Sequence, residues 1–599
     1  MKKLYLLLGL SIALFLWGND SNLLINLDNR ETISLNGNWR FIIDPFENGY
    51  YDYRLLPLKD GYFKNAKQRD RTERIEYNFD ESGTLVVPGD WNTQDDRLFF
   101  YEGTIWYKKS FDYNRERNKR VFVYFGAVNY HAIVYLNGEK IGEHIGGFTP
   151  FNFEITNRLK ERGNYLIVKV DNKRHLDGVP TVNFDWWNYG GLTRRVMLIE
   201  VPETFIQDYL IQLKKGTEDE VEGWVRLNGV DMQQKITVKI PELEFEKGFK
   251  TDKDGLAEIS FKADFKFWSP WNPKLYKVII TCETDEIEDK IGFRHIEVIG
   301  EDILLNGEPI FLHGICIHED APFRTGRAFS IEDAKILLGW AKELNCNFVR
   351  LAHYPHNENM IRMADSMGIM VWAEIPVYWT IQWENNETFM NARNQLSEII
   401  TRDKNRASVI MWSMGNETPL YNSRLNFMSN LAKFAREKDQ TRLITAAIES
   451  HYKNENTVII DDPLGKYLDV LGCNEYIGWY DGLPEKCDRI RWETIYDKPL
   501  IISECGGGAL YGFRGDELTR WSEEYQESIY KHQISMLKRI QFLKGMTPWI
   551  LKDFRSPRRP LPVIQDFFNR KGLISNNGQK KKAFYVLREF YREIEEKFE

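Results

Sequence analysis

From Ile299 onward, short apolar runs alternate with amphipathic stretches, and this rhythm limits the fold more than any other feature of the 599-residue chain. The runs are Phe311 to Ile315, Asn347 to Leu351, Ile369 to Ala373, Val409 to Met414, Leu443 to Ala446, Asp469 to Cys473, Leu500 to Ser503 and Met546 to Leu551. Helical patterns fill several gaps, as in Ser330 to Leu344, Glu358 to Met367 and Asn426 to Arg436. Eight strand–helix repeats predict a (β/α)8 TIM barrel over 299–599, with its chemistry just after the carboxyl ends of the strands.

The preceding sequence has another texture. Ile133 to Leu136 and Glu139 to Ile141 flank Asn137-Gly138, a pair that accepts the positive φ of a two-residue hairpin turn. Helical periodicity is scarce from Leu23 to Pro202, which predicts a jelly-roll-like β-sandwich over 23–202. Strand-like runs recur at Lys235 to Ile240, Ala257 to Phe261 and Tyr276 to Thr281. They predict a second, immunoglobulin-like β-sandwich over 203–298. The fold class is therefore multidomain, β plus α/β, and 43% apolar residues suffice to fill such cores.

Lys2 and Lys3 precede an apolar stretch from Leu4 to Trp17, followed by Gly18 and polar residues. This is the layout of a secretory signal peptide over 1–18, short of the ~20 residues that cross a bilayer. It predicts an exported protein, periplasmic or secreted, with no stable membrane span once the signal is removed. Removal takes two Lys and no acid, so the net charge moves from −8 to −10. That acidity, with no long basic run, argues against a nucleic-acid partner. Cys282, Cys316, Cys346, Cys473, Cys487 and Cys505 lack paired or metal-type spacing and read as buried free thiols.

Two carboxylates stand at predicted strand ends. Glu417 closes Trp412-Ser-Met-Gly-Asn416-Glu417 after the fourth strand, and Glu504 lies in Ser503-Glu504-Cys505-Gly506-Gly507 after the seventh. A barrel brings these distant positions round one mouth. Paired carboxylates are what glycoside cleavage needs, one protonating the leaving oxygen and the other attacking the anomeric carbon. No metal cluster, phosphate loop or Ser-His-Asp arrangement competes, and no cofactor or metal is called for.

The run from Asp403 through Asn405 and Trp412 to Glu417 resembles the acid/base signature of glycoside hydrolase family 2. So do Asn347-Phe-Val-Arg350-Leu-Ala-His353-Tyr354-Pro355, Asp365 to Trp372, Trp268 to Tyr276 and Gly292-Phe-Arg294. The resemblance implies Glu417 as acid/base, Glu504 as nucleophile and Asn416 on the sugar 2-hydroxyl. It sets Tyr476 against the nucleophile, in Asn474-Glu-Tyr476-Ile-Gly-Trp479-Tyr480, with Tyr480 in support. Arg350 and His353 stand at the end of the second predicted strand, a position from which an Arg can orient the nucleophile and a His can bond a sugar hydroxyl. Asp185, in the Phe184 to Gly191 loop of the first sandwich, would accept from sugar hydroxyls, and Trp549 would stack on the ring.

The same resemblance addresses the sugar. Asn569-Arg570-Lys571 is similar to the Asn-x-Lys element with which β-glucuronidases hold the sugar carboxylate, and His318-Glu319-Asp320-Ala321 is similar to their loop after strand one. An ammonium supplies charge and an amide a directed donor for a planar carboxylate. Between Trp549 and Asn569 the chain is longer and more basic than the family pattern, which leaves open which of Arg555, Arg558 and Arg559 meets the substrate. The expectation is an exported retaining exo-β-glucuronidase, hydrolysing terminal β-D-glucuronic acid from oligosaccharides or glycoconjugates. The alternatives are a β-galactosidase of the same family and a catalytically inactive carbohydrate-binding protein. A homo-oligomer is left open.

Overall fold

The computed structural model describes residues 23–114 and 118–598; the expected signal peptide lies outside them. The first sandwich pairs a six-stranded antiparallel sheet, in the order Thr84–Val87, Gly37–Ile43, Thr104–Phe111, Asn164–Asp171, His131–Leu136, Glu139–Ile145, with a four-stranded one. The Asn137-Gly138 turn joins the last two strands with φ of 53° and 86°, as its two-residue length demands.

In the second sandwich a three-stranded sheet faces a four-stranded one. Alternation is plain here: Ile236, Val238 and Ile240 of one sheet and Ala257, Ile259 and Phe261 of the other point into a common core, the period-2 signature of a half-buried strand.

The barrel closes over Leu312–Ile317, Phe348–Leu351, Met370–Glu374, Val409–Asn416, Leu443–Ile448, Val470–Asn474, Leu500–Glu504 and Leu543–Met546. Its last strand lies earlier than the predicted Met546 to Leu551. Pro548 has no amide hydrogen to give a ladder, and the apolar run leaves regular strand geometry while still bonding to the chain of its two neighbours, the Trp549 amide donating to the Cys505 carbonyl and the Leu551 amide to the Cys316 carbonyl. The crossovers also differ from a strict strand–helix repeat. Strands five to six and six to seven are joined by 3-10 turns (Pro463–Tyr467, Pro484–Arg489) and a three-stranded sheet of His451–Asn454, Thr457–Ile460 and Arg491–Thr494. β-branched Thr457-Val-Ile-Ile favours a strand over a helix in the first of these crossovers.

The domains are bolted together by the family-type runs. Asn405 exchanges hydrogen bonds with the backbone of Tyr209 and Ile211 in the second sandwich, at 2.9 and 3.0 Å. Trp268 donates to the Asp365 carbonyl at 2.8 Å. From the first sandwich, buried Arg194 reaches Glu319 at the barrel mouth, at 3.0 Å. All six cysteines are free and buried.

Candidate active site

Arg350, wholly buried in the second barrel strand, is the centre of the site. Its Nη1 donates to Glu504 Oε1 at 2.9 Å and to the Ser503 carbonyl at 3.1 Å. Its Nη2 donates to Asn416 Oδ1 at 2.8 Å, and Asn416 Nδ2 donates to Glu417 Oε2 at 3.3 Å. One guanidinium and one amide thus connect the two carboxylates predicted from the strand ends.

Burial pushes the Glu504 carboxyl above its ordinary value, and the charge of Glu417 adds to this, while Arg350 and His353 oppose it. Tyr476 donates its hydroxyl to Glu504 Oε2 at 2.6 Å, and His353 Nε2 lies 3.6 Å from Oε1. Both Glu504 oxygens are therefore held by neighbouring side chains.

Local backbone geometry aims Glu417. The chain leaves the fourth strand in the left-handed region there, at φ 47°, which costs an L-residue about 1–2 kcal/mol and is characteristic of functional turns. Gly415 allows the segment after strand three to close on it, since a Cβ would stand 2.5 Å from the Val377 carbonyl oxygen. The Asn416 amide donates to that carbonyl and the Trp379 amide to the Asn416 carbonyl. Trp379 is thereby placed to donate its indole N–H to Glu417 Oε2 at 2.8 Å.

A second cluster forms where the first sandwich meets the segment after strand eight. Asp185 accepts from Ser556 Oγ at 2.5 Å, from Asn569 Nδ2 at 3.3 Å and from Arg559. Lys571 donates to the Tyr480 hydroxyl at 2.7 Å and stands over the rings of Tyr476 and Tyr480, 4.8 and 4.6 Å from their centres. Burial would raise the Tyr480 hydroxyl, but Lys571 and Arg559 bring it below its ordinary value. Arg559, Asn569, Lys571 and Tyr480 line one small cavity of about 100 Å³, with Arg520 beside them.

Arg559 is thus the arginine of that basic segment that faces Asp185 and this cavity. Arg558 lies over Trp379, and Arg555 stacks on Phe99 and Phe568. Trp549 is buried and stacked on His353, ring centres 4.7 Å apart. Trp186 packs against Tyr354 and Tyr378 between the domains.

Three participants escaped the sequence reading. Glu374 accepts from Arg350 Nη2 at 3.1 Å, Trp372 Nε1 at 3.0 Å and Ser413 Oγ at 3.2 Å, with His353 Nδ1 at 2.8 Å. Burial opposes its charge, yet Arg350 and these neighbours hold its carboxyl down at about 2. It ends the third strand, so the strand-end rule that selects Glu417 and Glu504 also selects it. Trp379 and Ser556 lie in loops whose paths no periodicity specifies.

A barrel that presents two joined carboxylates at the ends of strands four and seven, under a sandwich that reaches into the same mouth, defines a glycoside hydrolase. The chain belongs to glycosyl hydrolases family 2: that family's sugar binding domain matches residues 32–202, its model of the same name 204–294 and its TIM barrel domain 296–596. Among similar proteins is a β-glucuronidase of Paenibacillus borealis, 28% identical over 95% of this chain and 98% of that one. One of Sus scrofa is 27% identical over 94% and 90%. Among solved structures, a β-glucuronidase of Ruminococcus gnavus in complex with D-glucaro-d-lactam superposes with a TM-score of 0.80 at 27% identity, over 95% of this chain and 99% of that one. A Bifidobacterium dentium β-glucuronidase complexed with coumarin-3-O-glucuronide does so at 0.80 and 25%, over 95% and 98%.

Proposed function

We propose that the protein is a retaining exo-β-glucuronidase that works through a covalent intermediate on Glu504. A Glu504 oxygen attacks the anomeric carbon as the glycosidic bond breaks, and Glu417 gives its proton to the leaving oxygen. Water then attacks the same carbon and yields its proton to Glu417, releasing glucuronic acid with its β configuration kept. Arg350 and Tyr476 fix the carboxylate that attacks, and Asn416 offers its amide toward the 2-hydroxyl.

The observation that carries the sugar assignment is the second cluster: Lys571, Asn569 and Arg559 converge beside Tyr480, whose neighbour Tyr476 touches the nucleophile. Lys571 and Arg559, with Arg520 and Arg570 in the same lining, and the Asn569 amide suit a planar carboxylate. Asp185, beside it, has acceptor capacity left for a sugar hydroxyl. The leader-like first eighteen residues support export, which sequencing the amino terminus of the secreted protein tests.

The decisive experiment compares p-nitrophenyl β-glucuronide with the β-galactoside. Faster release from the galactoside overturns the assignment. Lys571→Ala should lower glucuronide kcat/KM by about 100-fold or more, as loss of a buried charged contact predicts, and spare neutral glycosides. Incubation with a 2-deoxy-2-fluoroglucuronide should leave an adduct on Glu504; binding without an adduct would favour an inactive binding protein.

A further inference from the structure

Arg558 stands beside the acid/base and outside the cationic cavity. Its guanidinium carbon lies 4.9 Å from the centre of the Trp379 ring, and the indole N–H of Trp379 is bonded to Glu417 Oε2 at 2.8 Å. Arg559, Asn569, Arg570 and Lys571 line the cavity proposed for the sugar carboxylate, whereas Arg558 does not. The leaving oxygen must come within hydrogen-bond reach of Glu417 to take its proton. The rest of the leaving group then runs outward past the residues that rim Glu417, of which Trp379 is half-buried and Arg558 exposed.

This guanidinium keeps its charge. Its Nη1 donates to Asn183 Oδ1, a neutral amide of the first sandwich, and among the described residues no carboxylate pairs with it. Two other arginines of the same segment differ, since Arg559 is paired with Asp185 and Arg570 with Asp553. A guanidinium over an aromatic face still has its N–H donors in its own plane, and Asn183 occupies one of them. Burial and the charge of Glu417 push the Glu449 carboxyl up to about 7, but Glu449 follows strand five, and strands three and five flank strand four on opposite sides. Glu449 and the Trp379–Arg558 pair therefore stand on opposite flanks of Glu417.

We infer that Arg558 belongs to the subsite for the leaving group and selects one that carries an anion, a carboxylate or a sulfate ester, held by the free N–H donors of the guanidinium above Trp379. The inference rests on the glucuronidase reading and narrows its substrate to glucuronic acid linked to an acidic sugar. Carboxylate and tetrahedral oxyanion oxygens both accept charge-assisted hydrogen bonds from a guanidinium, two at a time. A neutral leaving group passes the same rim with no such bond to gain.

The test measures kcat/KM on disaccharides of glucuronic acid β-linked to a neutral hexose, to the same hexose bearing a sulfate, and to a uronate. Wild type should favour at least one acidic disaccharide over the neutral one by about tenfold, the worth of one charge-assisted hydrogen bond. Arg558→Gln, at an exposed position, should bring that ratio to within about twofold of one, and the disaccharide whose advantage disappears identifies the anion. A side chain that only clamps the segment against Asn183 would instead lower every substrate alike and leave the ratio in place. A wild-type ratio within about twofold of one, a preference for the neutral disaccharide, or a ratio that survives Arg558→Gln overturns this proposal alone. No turnover of any glucuronide, p-nitrophenyl β-glucuronide included, overturns the glucuronidase reading and this proposal with it.

Discussion

At the scale of single residues, Glu374 is the informative case, because it reaches Glu504 only through Arg350 and His353. The guanidinium divides its charge between Glu374 and Glu504. In Glu374→Gln the whole charge falls to Glu504 and a nearby anion disappears, and both changes lower the Glu504 pKa. The acidic limb of kcat/KM against pH should therefore move to lower pH while kcat falls; a loss of activity with an unmoved limb would mean that Glu374 only holds the fold. Glu374 also carries a pH-dependent share of stability. Its folded pKa is depressed to about 2, so that share is present above its unfolded value and is lost as pH falls through about 4.5 toward 2. Wild type should accordingly lose more melting temperature than Glu374→Gln over that window. Glu417 and Glu504 were legible in the sequence because a carboxylate after an apolar strand has no packing reason to be there. Glu374 obeys the same rule, and what hid it was the absence of any sign that a third acid would be paired with a buried arginine.

The elements were legible wherever periodicity governs them. Ser330 to Leu344 becomes the helix Ile331–Glu343, with Ser330 and Asp333 forming a reciprocal cap, and Glu358–Met367 appears as its pattern predicts. The segment after strand eight was not legible, since contacts with another domain decide its course. Val563, Asp566 and Phe567 all adopt left-handed φ there, at 69°, 45° and 61°, each costing about 1–2 kcal/mol for an L-residue. Such a path persists only where neighbours over-determine it. Phe567 is gripped by Phe100 and Trp187 of the first sandwich, with ring centres 5.3 and 6.1 Å away, and Asn569 and Lys571 follow directly. Phe100 is 62% exposed, so Phe100→Ala can loosen this grip without opening a core. Losing an aromatic pair worth about 1 kcal/mol should raise KM for the glucuronide several-fold with a smaller change in kcat. An unaltered KM would show that the segment holds its course unaided.

For the whole molecule, charge sets up a conflict that the fold resolves locally. The chain carries a net charge of −8, yet the site proposed for a glucuronate carboxylate gathers Lys571, Arg559, Arg520 and Arg570 round one cavity. Arg570 spends much of its charge on Asp553 at 3.3 Å, and Arg559 on Asp185. What remains acts over a few ångströms inside a mostly buried pocket, where salt screens weakly. The surplus acid is spread over the surface, and salt screens it beyond a Debye length of about 8 Å at physiological strength. The two fields therefore respond unequally to ionic strength. An anionic substrate approaching at low salt feels mainly the distributed repulsion, and the pocket takes over only at contact. Raising salt from about 10 mM to about 150 mM, which shortens the Debye length from about 30 to 8 Å, should thus increase kcat/KM for p-nitrophenyl β-glucuronide and leave a neutral glycoside nearly unaffected. The same titration on Lys571→Ala should show a similar rise from a lower start, since the lysine acts inside the screening length. A fall with salt in wild type that vanishes in Lys571→Ala would instead mean that the cationic cavity reaches out past the acidic surface and steers the substrate in.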